Sequence, residues 1–183
     1  MKTKFLLTIA FMLAALTLSA EDVRWWKGNL HTHSLWSDGD DYPEMIADWY
    51  RSSGYHFLAI SDHNVLSEGQ RWIHREKNAG GLRAFEKYLK RFGNDWVEHR
   101  VVEGAPQVRL KTYVEYRSKI DVPGNFLLMQ SQEITDQFQG LPIHLNATNL
   151  KKQIPPQGGA GVAATMQKNI DAVLAQRKAT GQP

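Results

Sequence analysis

Between Arg24 and Pro183 the chain alternates short apolar runs with stretches of helical period. Residues 24–31 (RWWKGNLH) predict a short strand, and a polar loop from Ser37 to Asp41 follows it. Pro43 suits the first turn of a helix; Met45, Ile46, Trp49 and Tyr50 give its apolar face and Gly54 its stop. His56–Ile60 reads as a buried strand, which completes a strand–helix–strand unit. Residues 67–92 predict helix, interrupted by Asn78-Ala79-Gly80-Gly81. The stretch 95–124 is mixed: an extended piece at 100–103, then a helix over 111–120 that Pro123-Gly124 ends. Phe126–Met129 opens a third strand leading into Glu133, and Ile143–Asn146 lies in a fourth. A Pro/Gly loop (151–161) precedes a helix over 162–179, with Val162, Met166, Ile170, Val173 and Leu174 as its inward face. Four strands alternating with helices predict an α/β fold on a parallel sheet.

Ahead of this pattern, Lys2 and Lys4 precede a mostly apolar run from Phe5 to Leu18, then Ser19-Ala20. That order is the signature of an export signal, and the run is too short to span a bilayer. The expected organisation is a signal peptide (1–20) and one domain (21–183), in a periplasmic or extracellular protein without a stable membrane anchor. The formal charge of +3 suggests a polyanion partner until Lys2 and Lys4 are set aside. The rest carries 20 basic against 19 acidic side chains, a net of +1, which removes the compositional case for nucleic acid. With no cysteine, disulfides, thiolate metal sites and cysteine nucleophiles are excluded together.

The residues able to do chemistry sit at strand ends. His31-Thr32-His33 places two imidazoles on one side of an extended chain, an arrangement suited to one cation. Asp38-Gly39 lies in the next loop, where its carboxylate can fold back over the strand end. Ser61-Asp62-His63-Asn64 stands at the C-terminal end of the second strand, where α/β folds gather ligand sites. Glu133 follows an apolar strand, and a carboxylate there calls for a partner or a metal. His144 is in the fourth strand, near Asn146 and Asn149.

Taken together, Gly28-Asn29-Leu30-His31-Thr32-His33-Ser34, the Ser37-Asp38-Gly39 turn, Ser61-Asp62-His63-Asn64, Glu133 and His144 resemble the successive motifs of the PHP (polymerase and histidinol phosphatase) domain. The resemblance covers about residues 24–149. It implies a distorted seven-stranded, TIM-like β/α barrel, of which this sequence holds the N-terminal half. It also implies up to three divalent metals (zinc, manganese or iron) at the strand C-termini. By position, His31 and His33 would hold the first metal, with Glu133 bridging to a second on His144, and Asp38 and His63 would hold a third. Asp62 would orient a ligand histidine or else make a helix-cap or loop contact, and Glu133 and Asp62 would be the catalytic carboxylates. The implied activity is hydrolysis by a metal-activated water, foremost of a phosphoester, on a small anionic substrate. Ester, carbamate or amide hydrolysis, or a metal-binding module without catalysis, are its alternatives. The family's later ligands, a His-Pro-type motif and an Asp-x-His, have no counterpart, since no histidine follows His144.

Other conspicuous residues have ordinary readings. Trp25 and Trp26 are expected to pack on the first strand, and Trp36 either walls the pocket or packs. Arg109 and Lys111 are expected on a solvated face. His56, His74 and His99 lack motif context and read as structural.

Overall fold

The computed structural model describes residues 24–182, so the proposed export signal lies outside the described residues. In chain order the elements are β1 (Gly28–Asn29), α1 (Pro43–Ser52), β2 (Phe57–Ile60), β3 (Arg71–His74), α2 (Gly81–Phe92), β4 (His99–Val102) and β5 (Ala105–Leu110). Then come α3 (Tyr113–Ile120), β6 (Leu127–Phe138), β7 (Leu141–Thr148) and α4 (Val162–Thr180). The fold is mixed α/β. A curled half-barrel sheet runs β1-β2-β6-β7, and a separate antiparallel sheet runs β3-β5-β4. No helix of the described residues is long and apolar enough to cross a membrane.

Local chemistry accounts for the helices that match the pattern. Pro43 opens α1, with Glu44 in its first turn and Arg51 in its last, each on the favourable side of the helix dipole. Thr112 and Glu115 form a reciprocal capping box on α3. β2 is buried at Leu58, Ala59 and Ile60, as expected of a central parallel strand. Leu58, Ile60 and Leu128 pack with Tyr116, Ile120 and Ala47, which seats α1 and α3 on one face of the sheet.

The structure corrects the pattern in four places. First, the sheet is not wholly parallel. β1, β2 and β6 pair in parallel, but β7 returns antiparallel along the outer half of β6. Only Gln139 and Gly140 connect them, both with positive φ (53° and 78°). A two-residue turn of this kind closes a hairpin and is far too short for a parallel crossover. Second, residues 71–74 form a strand, not helix, because they pair with β5 from Arg71 opposite Leu110 to His74 opposite Gln107. β5 itself, missing from the sequence reading, hairpins to β4 through Glu103-Gly104, again with two positive φ values.

Third, α4 is turned away from its expected face. Thr165 and Asn169 are buried, whereas Val162, Met166, Ile170 and Leu174 are exposed; of the expected face only Val173 packs inward. Polar anchoring sets this rotation: Asn169 donates to Asp136 Oδ2 (2.7 Å), which also accepts from Gly158 N. Fourth, β1 is only two residues long, and Trp25 and Trp26 lie outside the core, the first almost fully exposed. Trp36 does pack: it is buried and donates its indole N–H to Lys111 O. Arg109 and Lys111 are not on a solvated face. Both are tied to Glu98, Arg109 is also bonded to Glu115, and Lys111 is buried.

Between α1 and α2 lies a buried carboxyl. Glu44 accepts from Tyr88 Oη and from Trp96 Nε1 (2.9 Å), both on one oxygen, while its other oxygen has no partner. Burial pushes its carboxyl above the usual range, although these two donors and nearby Lys111 oppose the shift. A folded-state value that is raised favours the fold fully below the ordinary glutamate value of about 4.3, and the benefit fades as pH rises through the folded value. Glu44→Gln keeps the shape and removes the proton. The wild type should therefore lose stability relative to Glu44→Gln as pH is raised from about 4 to 8. Urea midpoints that move in parallel for the two proteins would count against a protonated Glu44.

Candidate metal centre

Backbone bonds gather the ends of the three parallel strands. Ser61 N donates to Thr32 O (2.7 Å), Glu133 N to Asp62 O (3.1 Å), and Asn64 N back to Glu133 O (3.0 Å). These tie the His31-Thr32-His33 segment, the Asp62-His63-Asn64 segment and the middle of β6 together, and His63 bridges Glu133 in parallel. β7 then delivers the fourth histidine. His144 sits opposite Thr135, two residues beyond Glu133, and alternation along β6 places Glu133, Thr135 and His144 on one side.

Glu133 is the hub, almost wholly buried. Its Oε1 lies 3.3 Å from His31 Nε2 and 3.2 Å from His144 Nδ1. Its Oε2 lies 2.9 Å from His33 Nε2 and 3.0 Å from His63 Nδ1. Yet Oε2 has no hydrogen-bond partner. The nitrogens approach at bonding distance without N–H geometry, and His31 Nε2 and His33 Nε2 are themselves only 3.1 Å apart. Donors around one cation with bonds of ~2.1 Å sit roughly 3.0–3.4 Å from one another at tetrahedral or octahedral angles. The observed separations, 2.9–3.3 Å, overlap that range.

Three groups of side chains can each hold a metal ion: His31, His33 and Glu133; His33, Asp38 and His63; and His63, Glu133 and His144. Imidazole with carboxylate suits zinc, manganese or iron. The buried, unpartnered oxygen of Glu133 fits a cation bound there. The six residues expected from sequence as ligands are thus brought together.

The first-motif loop supplies Asp38. Ser37 N and Gly39 N both donate to Ser34 O, and Leu35 N to Asp41 O, which folds the loop over the strand end. Gly39 is required by close approach, since a Cβ there would stand 2.5 Å from His33 backbone atoms. Asp38 Oδ1 meets His33 Nδ1 at 2.8 Å, and Oδ2 faces His63 Nε2 at 3.3 Å. A carboxylate on the far nitrogen of a ligand histidine fixes that ring's orientation and tautomer.

Of the two roles expected for Asp62, the structure shows the loop contact and not the histidine contact. Asp62 accepts from Ser34 N (2.8 Å), Ser34 Oγ (2.7 Å) and Ser37 Oγ (2.6 Å), and it makes no hydrogen bond to a histidine among the described residues. Burial raises its pKa, while the bonds from Ser37 and Ser34 pull the other way. It is the anchor of the loop that carries His33 and Asp38.

Asn64 clamps backbone. It adopts φ 49°, donates to Thr135 O (2.8 Å) and accepts from Thr135 N (3.0 Å). Asn149 also has positive φ and accepts from Gln182 Nε2. His56 accepts from Lys27 N, and His74 from the backbone of Glu76 and Lys77, as structural histidines do. The sequence reading missed Thr135, whose hydroxyl meets His63 Nδ1 at 2.5 Å and lies 3.5 Å from His144 Nδ1. The available signal was its place two residues after Glu133, on the same side of a strand. No protein-family model matches the chain, and no curated protein matches it.

Proposed function

We propose that the protein is a metal-dependent hydrolase of the PHP type, its curled sheet the strand arrangement of a distorted β/α barrel. The convergence of four imidazoles on one buried carboxylate, with an oxygen that no hydrogen bond satisfies, supports this reading. His31, His33 and Glu133 would hold one cation, Glu133 and His144 a second, and Asp38 and His63 a third. Bound there, divalent metals supply an activated water and neutralise charge developing on the substrate, which suits a phosphoester first.

The chain's own residues prepare that site. Glu133 brings a buried carboxyl group among four imidazoles. Asp38 holds the His33 ring, and Asp62 holds the loop from which both project. No serine hydroxyl among the described residues hydrogen-bonds a histidine; Ser34 and Ser37 both give theirs to Asp62. That favours water over a serine nucleophile. The substrate is read as small and anionic and the protein as exported, acting in the periplasm or outside the cell.

The test is turnover of a nitrophenyl phosphate diester, a phosphate monoester and a carboxylic ester, each with added manganese or zinc and with chelator. Metal-dependent turnover fastest on a phosphate ester is the expected result. Preference for the carboxylic ester would move the assignment to ester, carbamate or amide hydrolysis on the same metals. Metal uptake without turnover of any of them would leave a binding module.

A further inference from the structure

His63 is claimed by two of the three ligand groups. Its Nε2 faces Asp38 Oδ2 at 3.3 Å, and its Nδ1 faces Glu133 Oε2 at 3.0 Å. A neutral imidazole has one lone pair, so only one nitrogen can ligate while the other carries the proton. The neighbour in hydrogen-bond contact with Nδ1 is Thr135. Its hydroxyl oxygen lies 2.5 Å from His63 Nδ1 in hydrogen-bond geometry, which the nearby Glu133 oxygen does not offer. The Thr135 backbone is held on both sides by Asn64, through Thr135 N to Asn64 Oδ1 and Asn64 Nδ2 to Thr135 O. The hydroxyl is therefore presented from a fixed strand position.

Resting on the metal reading above, we propose that Thr135 is a positioning residue that sets the tautomer of His63. Its hydroxyl accepts the Nδ1 proton, which leaves the Nε2 lone pair for a cation shared with Asp38 and withdraws His63 from the Glu133–His144 group. A hydroxyl, imidazole and carboxylate in line also outline a nucleophilic triad. Here, however, the 3.3 Å approach of His63 Nε2 to Asp38 is not a hydrogen bond, so the carboxylate does not orient the ring as a triad's third member must.

Thr135→Val keeps the β-branched shape that suits a strand and removes the acceptor, while Thr135→Ser retains it. Two readouts test the idea in the full chain. Long-range nitrogen–proton NMR of the metal-free protein reports which His63 nitrogen carries the proton. Equilibrium dialysis against manganese or zinc, with metal analysis, reports how many ions bind and how tightly. The wild type and Thr135→Ser should show protonated Nδ1, and Thr135→Val a shift toward protonated Nε2. Thr135→Val should also bind one metal about 10–100-fold more weakly, as losses of groups behind a ligand histidine do, and the remaining metal as the wild type does. A wild-type His63 protonated on Nε2, or a Thr135→Val protein unchanged in both readouts, would overturn the proposal. A wild type that takes up no metal would instead overturn the metal reading, with the tautomer measurement still deciding the role of Thr135.

Discussion

Replacing Glu133 with glutamine should abolish the stabilisation that divalent metal confers on the wild-type protein. The carboxylate stands among His31, His33, His63 and His144, with approaches of 2.9–3.3 Å, and it belongs to two of the three ligand groups. Glutamine is nearly isosteric, so the strand and its burial survive, but one oxygen becomes an N–H donor and the negative charge is lost. A ligand that binds only the folded state adds about 2.7 kcal/mol at 100 times its dissociation constant. For a chain of this size that is roughly 5–10 °C in melting temperature. The wild type should show a rise of this order with manganese or zinc, reversed by chelator, and Glu133→Gln should show almost none. Equal rises in the two proteins would place the metal elsewhere.

The second large effect is expected at Asp62, and it separates anchoring from catalysis. Asp62 is buried and accepts three hydrogen bonds from the Ser34–Ser37 loop. Hydrogen bonds to a charged group contribute ~1.5–3 kcal/mol each, and unpaired buried donors cost more still. Asp62→Ala should therefore lose on the order of 3–5 kcal/mol and loosen the loop that presents His33 and Asp38. Asp62→Asn keeps an oxygen for Ser34 N and Ser37 Oγ, and Ser34 Oγ can accept from the new amide. The asparagine protein should retain most stability, measured by urea unfolding, together with metal uptake and turnover. A stable, metal-loaded Asp62→Asn protein without turnover would make Asp62 a proton carrier instead.

Legibility followed the range of the interaction that places each residue. His31 and His33 share a side because an extended chain alternates its side chains, a rule that needs no partner. Asp38 is five residues from His33, and a turn-forming loop with Gly39 brings it back. α1 and α3 were readable because their signals, Pro43 at the start of one and Pro123-Gly124 just past the end of the other, act locally. The residues missed or misread depend on distant partners. Thr135 acts on His63, 72 positions away, and Asn169 turns α4 toward Asp136, 33 positions away. Hydropathy alone assigns Ile170 and Leu174 inward, because it counts apolar area and not a buried amide that must find its acceptor.

By itself, then, the sequence determined the inventory of candidate ligands, their order along the chain, and the strands that three of them, His31, His33 and His63, follow. Those are consequences of residue type and local period. The tertiary structure decided how the strands are joined and which atoms face one another. Residues 71–74 and 105–110 became strands because each supplies the other's hydrogen bonds. The Gln139-Gly140 turn made β7 antiparallel and so set His144 beside Glu133. Pairing and register are long-range choices, made where every buried N–H and C=O must find a partner, and no local window of sequence contains that partner.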